Sequence, residues 1–182
     1  NPLQPQEIGA WDTSGDAQAV GVLLKPGAVQ PQATPDSGSS MPLPDETQST
    51  AAAQAPAGQP FALVADGSGG LVVLDISQPR QPSQTAVYEQ LDFIQDITVQ
   101  GSVVAAAARA RGVSLLDLNN PAKPVQISLA NTPGEARAVV MQGTLVYTAD
   151  FSRGLQILEI SNPSQPGVIG FRDTPEKVLD LF

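Results

Sequence analysis

The chain has 182 residues, 41% hydrophobic but only 4% aromatic, and it contains neither His nor Cys. That removes Ser-His-Asp and Cys-His nucleophilic sites, histidine acid–base chemistry, disulfides, and zinc or copper centres with N/S ligands. A formal charge of −9 argues against nucleic acid and anionic membrane surfaces as partners, and the longest apolar runs, such as Val103–Ala108, are far too short to span a bilayer.

In chain order, the first strand pattern falls at about Ala17–Leu24. Residues 25–60 follow with seven Pro, many Ser, Gln, Ala and Thr, and only Val29, Met41 and Leu43 as larger apolar residues. Such a stretch buries too little surface to offset its ordering entropy, so it is predicted to be a disordered insertion. From Phe61 onward, apolar runs of 5–8 residues rich in Val, Ile and Leu are cut by Gly, Pro and Asn, the pattern of short strands. One full set reads Ile94–Gln100, Val103–Ala108, Gly112–Leu118 and Val125–Ala130, termed strands a, b, c and d from the innermost outward. The hairpin-sized turn Gln100-Gly101-Ser102 recurs as Gln142-Gly143-Thr144. The Pro-x-x-Pro segments cannot continue a central strand and mark the c–d turns.

The set repeats. GLVVLDISQPRQP (70–82), GVSLLDLNNPAKP (112–124) and GLQILEISNPSQP (154–166) align without gaps at a spacing of 42. The N-terminal NPLQP (1–5) matches NPSQP (162–166), and Asp12-Thr13 matches Asp173-Thr174. A 42-residue period of four strands fits a propeller blade. Strands b and c are apolar on both faces, as expected for a sheet packed between neighbours. The prediction is an all-β fold, a β-propeller segment of four-stranded antiparallel blades. Residues 1–24 would be the end of one blade and the inner strand of the next, and 61–182 about three blades followed by an inner strand. Three blades cannot close a ring, since closed propellers have roughly four to eight. The expectation is therefore a piece of a ring of roughly six to eight blades, with a dimer closing a six-blade ring as the lesser alternative.

The segment VADGSGGLVVLDISQPRQP (64–82) and its copies resemble the LVIVD repeat. The matching features are Ala65-Asp66 and Ala149-Asp150 before the b–c turn, the Gly-Leu that opens strand c, and the acids Asp75, Asp117 and Glu159. The middle copy departs, with Ala108-Arg109 in place of Asp66-Gly67 and Asp150-Phe151. The resemblance implies a propeller and a bacterial or archaeal surface or secreted protein, hence an extracellular or cell-surface location, with the periplasm as the alternative. No signal peptide is visible in the segment, and Asn1 reads as an internal residue. The family implies no particular activity.

Three sets of residues offer chemistry. Asp75, Asp117 and Glu159 stand just before the c–d turns and are read as structural acids that accept turn amides. On the rim formed by the b–c and d–a turns, Asp66, Arg109, Arg111, Asp150, Phe151, Arg153 and Asp173 form a mixed-charge surface with an aromatic, suited to a protein or glycan. Asp96 and Asp180 share one repeat position on the innermost strand and face the expected channel. Two carboxylates there are weak candidates for Ca²⁺, which takes oxygen ligands, or for an acid–base pair. Asp66-Gly67-Ser68-Gly69 lacks the repeated carboxylates of a calcium loop and reads as a hairpin turn. The sequence therefore favours a non-catalytic propeller scaffold with no cofactor. The alternative is a fragment of a propeller hydrolase or lyase that uses channel carboxylates, with calcium. A third reading has the Pro-rich insertion itself dock a partner.

Overall fold

The computed structural model describes residues 10–13, 15–25 and 58–181. The strand expected near residues 1–9 and most of the expected disordered insertion lie outside these residues. Twelve strands are found among them, with no helix, in three four-stranded antiparallel meanders. The first blade is β1 (Ala19–Lys25), β2 (Gln59–Ala65), β3 (Leu71–Asp75) and β4 (Ser83–Tyr88). The second is β5 (Asp96–Gln100), β6 (Val103–Ala107), β7 (Val113–Asp117) and β8 (Val125–Ala130). The third is β9 (Ala138–Gln142), β10 (Leu145–Ala149), β11 (Leu155–Glu159) and β12 (Gly167–Arg172). The three sheets do not close on one another, so the fold is a partial β-propeller, as the 42-residue period predicts.

The strand boundaries near the insertion are tighter than expected. Lys25, Gln59 and Pro60 belong to strands, with Lys25 opposite Gln59 and Leu24 opposite Pro60. Pro60 is tolerated because it stands next to the strand end, where its carbonyl still accepts Ile76 N–H at 3.1 Å. At the other end, residues 179–181 are not in a strand, although an inner strand is expected there. Only Val178 pairs, in an isolated bridge to Phe151.

Alternation along each strand sends one set of side chains to each neighbouring blade. Leu63, Leu71 and Val73 of the first blade pack against Val104, Ala106 and Leu116 of the second. On the opposite face of the second blade, Ala105, Val113 and Leu115 meet Val139, Val146 and Leu158 of the third. Blade two is thus covered on both sides, which is why β6 and β7 are apolar at nearly every position. The inner strands β1, β5 and β9 lie side by side. Between β5 and β9 they are tied by side chains: Asp96 Oδ2 accepts Val139 N–H at 2.9 Å, and Gln100 exchanges two hydrogen bonds with the backbone of Gly143, at 3.0 and 3.1 Å.

A register shift recurs in each c–d pair, at Val73/Leu74, Leu115/Leu116 and Ile157/Leu158. Such bulges increase the local twist and make the outer strand a poorer template for foreign strands.

Candidate functional site

The rim is built from the b–c turns and the d–a connections between blades. Each b–c turn reaches forward to the d–a connection that leaves its own blade through a backbone bridge: Gly67 to Ile94, Arg109 to Ala136 and Phe151 to Val178. All three turn residues are left-handed, at φ 54, 48 and 50°. Gly takes that conformation without cost, whereas Arg109 and Phe151 are held there against a preference of about 1–2 kcal/mol. Both are pinned by stacking. The Arg109 guanidinium lies 3.7 Å from the centroid of the Phe93 ring, and Phe151 is flanked by Arg137 and Lys177 at 4.7 and 4.6 Å. Arg109 also donates from Nε and Nη2 to Gln95 Oε1, at 3.2 and 3.1 Å.

Two of the seven rim residues expected from the sequence lie inside the fold. Asp66 and Asp150 are fully buried. Thr132 Oγ1 donates to Asp150 Oδ1 at 2.6 Å and Gly134 N–H to Oδ2 at 2.8 Å. Asp66 is held likewise by Thr13 Oγ1 and Gly15 N–H. These carboxylates latch the incoming d–a connection onto the blade it enters, because a buried carboxylate must find internal donors. Burial pushes the Asp150 carboxyl up, opposed by the bonds from Thr132 and Gly134 and by nearby Arg153. In the second blade Ala108 replaces the latch acid, and Asp92 stands where Gly15 and Gly134 stand in the others. There Arg111 takes over, donating from Nε to Asp92 Oδ2 at 2.9 Å and from Nη1 to Gln90 O at 3.1 Å. A signal for the latch is present in the sequence: Thr and Gly two residues apart recur in register with Ala-Asp and are missing where the Asp is missing.

Arg153 and Asp173 come together with residues the sequence reading did not single out. With Asn131, Thr132, Pro133, Gln156, Val168 and Phe171 they line a cleft of about 520 Å³ between blades two and three, the size of an ordinary ligand cleft. Phe171 is 69% exposed, and Gln156, on the adjacent strand, is buried. The cleft has a cause in the repeat. Between blades one and two, Tyr88 at the end of β4 is buried and bridges to blade two, its hydroxyl 3.0 Å from Gln126 Oε1 and 3.1 Å from Gln90 Oε1. The corresponding residue at the end of β8 is Ala130, and the residue corresponding to Leu91, itself buried, is the exposed Pro133. A small side chain and a turned-out ring leave the second junction open where the first is filled.

The structure places Asp75 and Asp117 at the c–d turns. Asp75 Oδ1 accepts Ser77 N–H at 2.8 Å, and Asp117 Oδ1 accepts Asn119 N–H at 2.7 Å. The Ser77 backbone, with its hydroxyl, holds the Asp75 carboxyl below its usual range. Glu159, at the same repeat position, is exposed. The channel pair Asp96 and Asp180 lines a smaller hollow of about 240 Å³ with Gln18, Gln95, Arg137, Ala138 and Leu179. Burial raises the Asp96 carboxyl, the amides of Val139 and Ile97 oppose this, and the like charge of Asp180 adds to it. Both Asp96 oxygens are engaged by those two amides. Among the described residues there is no group of three or more acidic ligands that could hold a metal ion. Nor is any helix among them long and apolar enough to cross a membrane.

No curated protein matches the chain. Among solved structures, the computationally designed Ika4 protein is similar with a TM-score of 0.51 at 14% identity, over 67% of this chain and 72% of that one. The designed Ika8 protein is similar with a TM-score of 0.50 at 10% identity, over 65% of this chain. The likeness spans only 35% of the Ika8 chain. At these identities the comparison speaks to the fold alone. The LVIVD repeat model matches residues 59–89 and 133–174, which flank the copy that lacks the latch acid. Those two stretches are thus similar to the LVIVD repeat, and the fold they belong to is a partial β-propeller.

Proposed function

We propose that this chain is a non-catalytic interaction scaffold of a secreted or cell-surface protein, binding a protein or glycan through the rim of b–c and d–a turns. The observation that carries this reading is the cleft between blades two and three. It sets exposed Phe171 beside Arg153, Asp173 and Asn131 on a framework whose buried carboxylates serve structure. Six of the nine basic residues, Arg109, Arg111, Arg137, Arg153, Arg172 and Lys177, fall on or beside this rim, in a chain that is otherwise strongly acidic. A partner with both charges and an apolar contact suits such a surface.

The test is an array of immobilised glycans and secreted proteins probed with the wild-type chain and with two variants. Arg153→Glu combined with Asp173→Lys is expected to abolish the wild-type signals. Lys123→Glu, in a c–d turn on the opposite rim, is expected to retain them. Signals that survive the first variant and vanish in the second would place binding elsewhere.

The hollow shared by Asp96 and Asp180 supports a second reading, a hydrolase or lyase with channel carboxylates and calcium. Calorimetric titration with Ca²⁺ decides it: saturable heat lost in Asp180→Asn would support this reading, and no heat would remove it.

A further inference from the structure

We infer that the cleft between blades two and three takes an aromatic side chain, tyrosine in the first instance, presented by a partner protein. This rests on the scaffold reading and assigns the chemistry of its partner. The argument is internal to the molecule. At the junction of blades one and two the same place is filled in cis by Tyr88, whose ring is buried between the sheets and whose hydroxyl reaches Gln126 on β8. At the junction of blades two and three the repeat supplies Ala130 in place of Tyr88, Val168 in place of Gln126 and Thr132 in place of Gln90. The place is left without its occupant, and the lining that the repeat supplies there is mainly apolar: Val168, Pro133 and the Phe171 ring. Gln156, with its Nε2 donating to Arg153 O at 2.9 Å, and Thr132 remain as polar groups within it. A flat ring between a proline and a phenylalanine gains edge or stacking contacts. A single aromatic anchor in a pocket, ringed by polar and charged groups such as Arg153 and Asp173, is the usual energetic centre of a protein interface.

The probe is N-acetyl-tyrosinamide, titrated into the isotope-labelled chain and followed by the backbone amide resonances of Thr132, Gly134, Arg153 and Phe171. Saturable shifts confined to these residues are expected. They should be lost when Ala130→Tyr and Val168→Gln together rebuild the first junction's filling. Val168→Glu, at an exposed position that the fold does not depend on, should also abolish them, and it serves if the double variant does not fold. No saturable shift, or shifts that persist in Val168→Glu, would overturn the inference. Shifts with methyl glycosides but not with the tyrosine amide would also overturn it, leaving the scaffold reading in place. Loss of rim dependence on the arrays would remove the scaffold reading itself.

Discussion

At the scale of single residues, the repeat is written in a few positions whose chemistry is fixed by the backbone. Gly112 has φ 86°, and a Cβ there would stand 2.2 Å from Ala130 O and 2.7 Å from Thr132 N. Gly112→Val is therefore expected to lose about 3 kcal/mol or more, combining left-handed strain with a backbone displacement. For a chain of this size that lowers the melting temperature by about 2–4 °C per kcal/mol. An unchanged melting temperature would show that the turn has another conformation. Asp96 gives a pH signature. Its folded carboxyl sits above the unfolded value of 3.8, so the folded state holds the proton more tightly. The resulting stability is fully present below 3.8 and is lost as pH rises through the folded value. Relative to Asp96→Asn, the wild type should thus lose stability as pH rises across that window. Asp180→Asn should lower the Asp96 titration point, read from its carboxyl carbon resonance, and an unmoved titration would show that the two carboxyls do not sense each other.

At the scale of strands and turns, most of the fold was legible in the sequence and the cleft was not. Period, hairpin turns and two-sided apolar runs name β5 to β8 almost residue by residue, because alternation and turn chemistry are local signals. The c–d bulges leave no local mark, since the extra residue is absorbed between ordinary apolar neighbours. Asp66 and Asp150 read as rim residues in the sequence because a turn acid looks exposed in one dimension. Only the pairing of the d–a connection with the next blade shows that a Thr hydroxyl and a Gly amide enclose them. The cleft is hidden in the sequence for a related reason. It is made by a comparison, Tyr88 against Ala130, and neither residue is conspicuous by itself. If Tyr88 fills the first junction as described, Tyr88→Ala should destabilise the chain by about 3–5 kcal/mol, the usual cost of truncating a buried aromatic. Tyr88→Phe should cost only about 0.5–1.5 kcal/mol, for the hydroxyl bonds to Gln126 and Gln90. Equal losses in urea melts of the two variants would mean that the ring itself contributes little.

At the scale of the whole molecule, the three blades are unequal. The second is covered on both faces, and Val104, Val113, Leu115 and Leu116 are all buried. The third alternates: Leu155 and Ile157 are half-exposed while Gln156 and Leu158 are buried. In the first, Val20, Val22 and Leu24 of β1 are 66, 57 and 67% exposed. Local opening should follow this order. In native-state hydrogen exchange the amides of β6 and β7 are expected to exchange last and those of β10 and β11 measurably sooner. The reverse order would mean that the third blade is the stable unit.

The pairing of Lys25 with Gln59 carries a consequence for how such a chain can change over generations. The thirty-odd residues between them leave and rejoin the sheet at directly opposed positions of one strand pair. At that pair the other two blades use a tight hairpin turn. Length and content there are free to drift, because a longer detour adds only logarithmically to the closure cost and shifts no register on either side. The first a–b junction is thus a natural grafting port. A foreign peptide spliced between Lys25 and Gln59, or a two-residue turn put in its place, would leave every strand with the neighbour it already has.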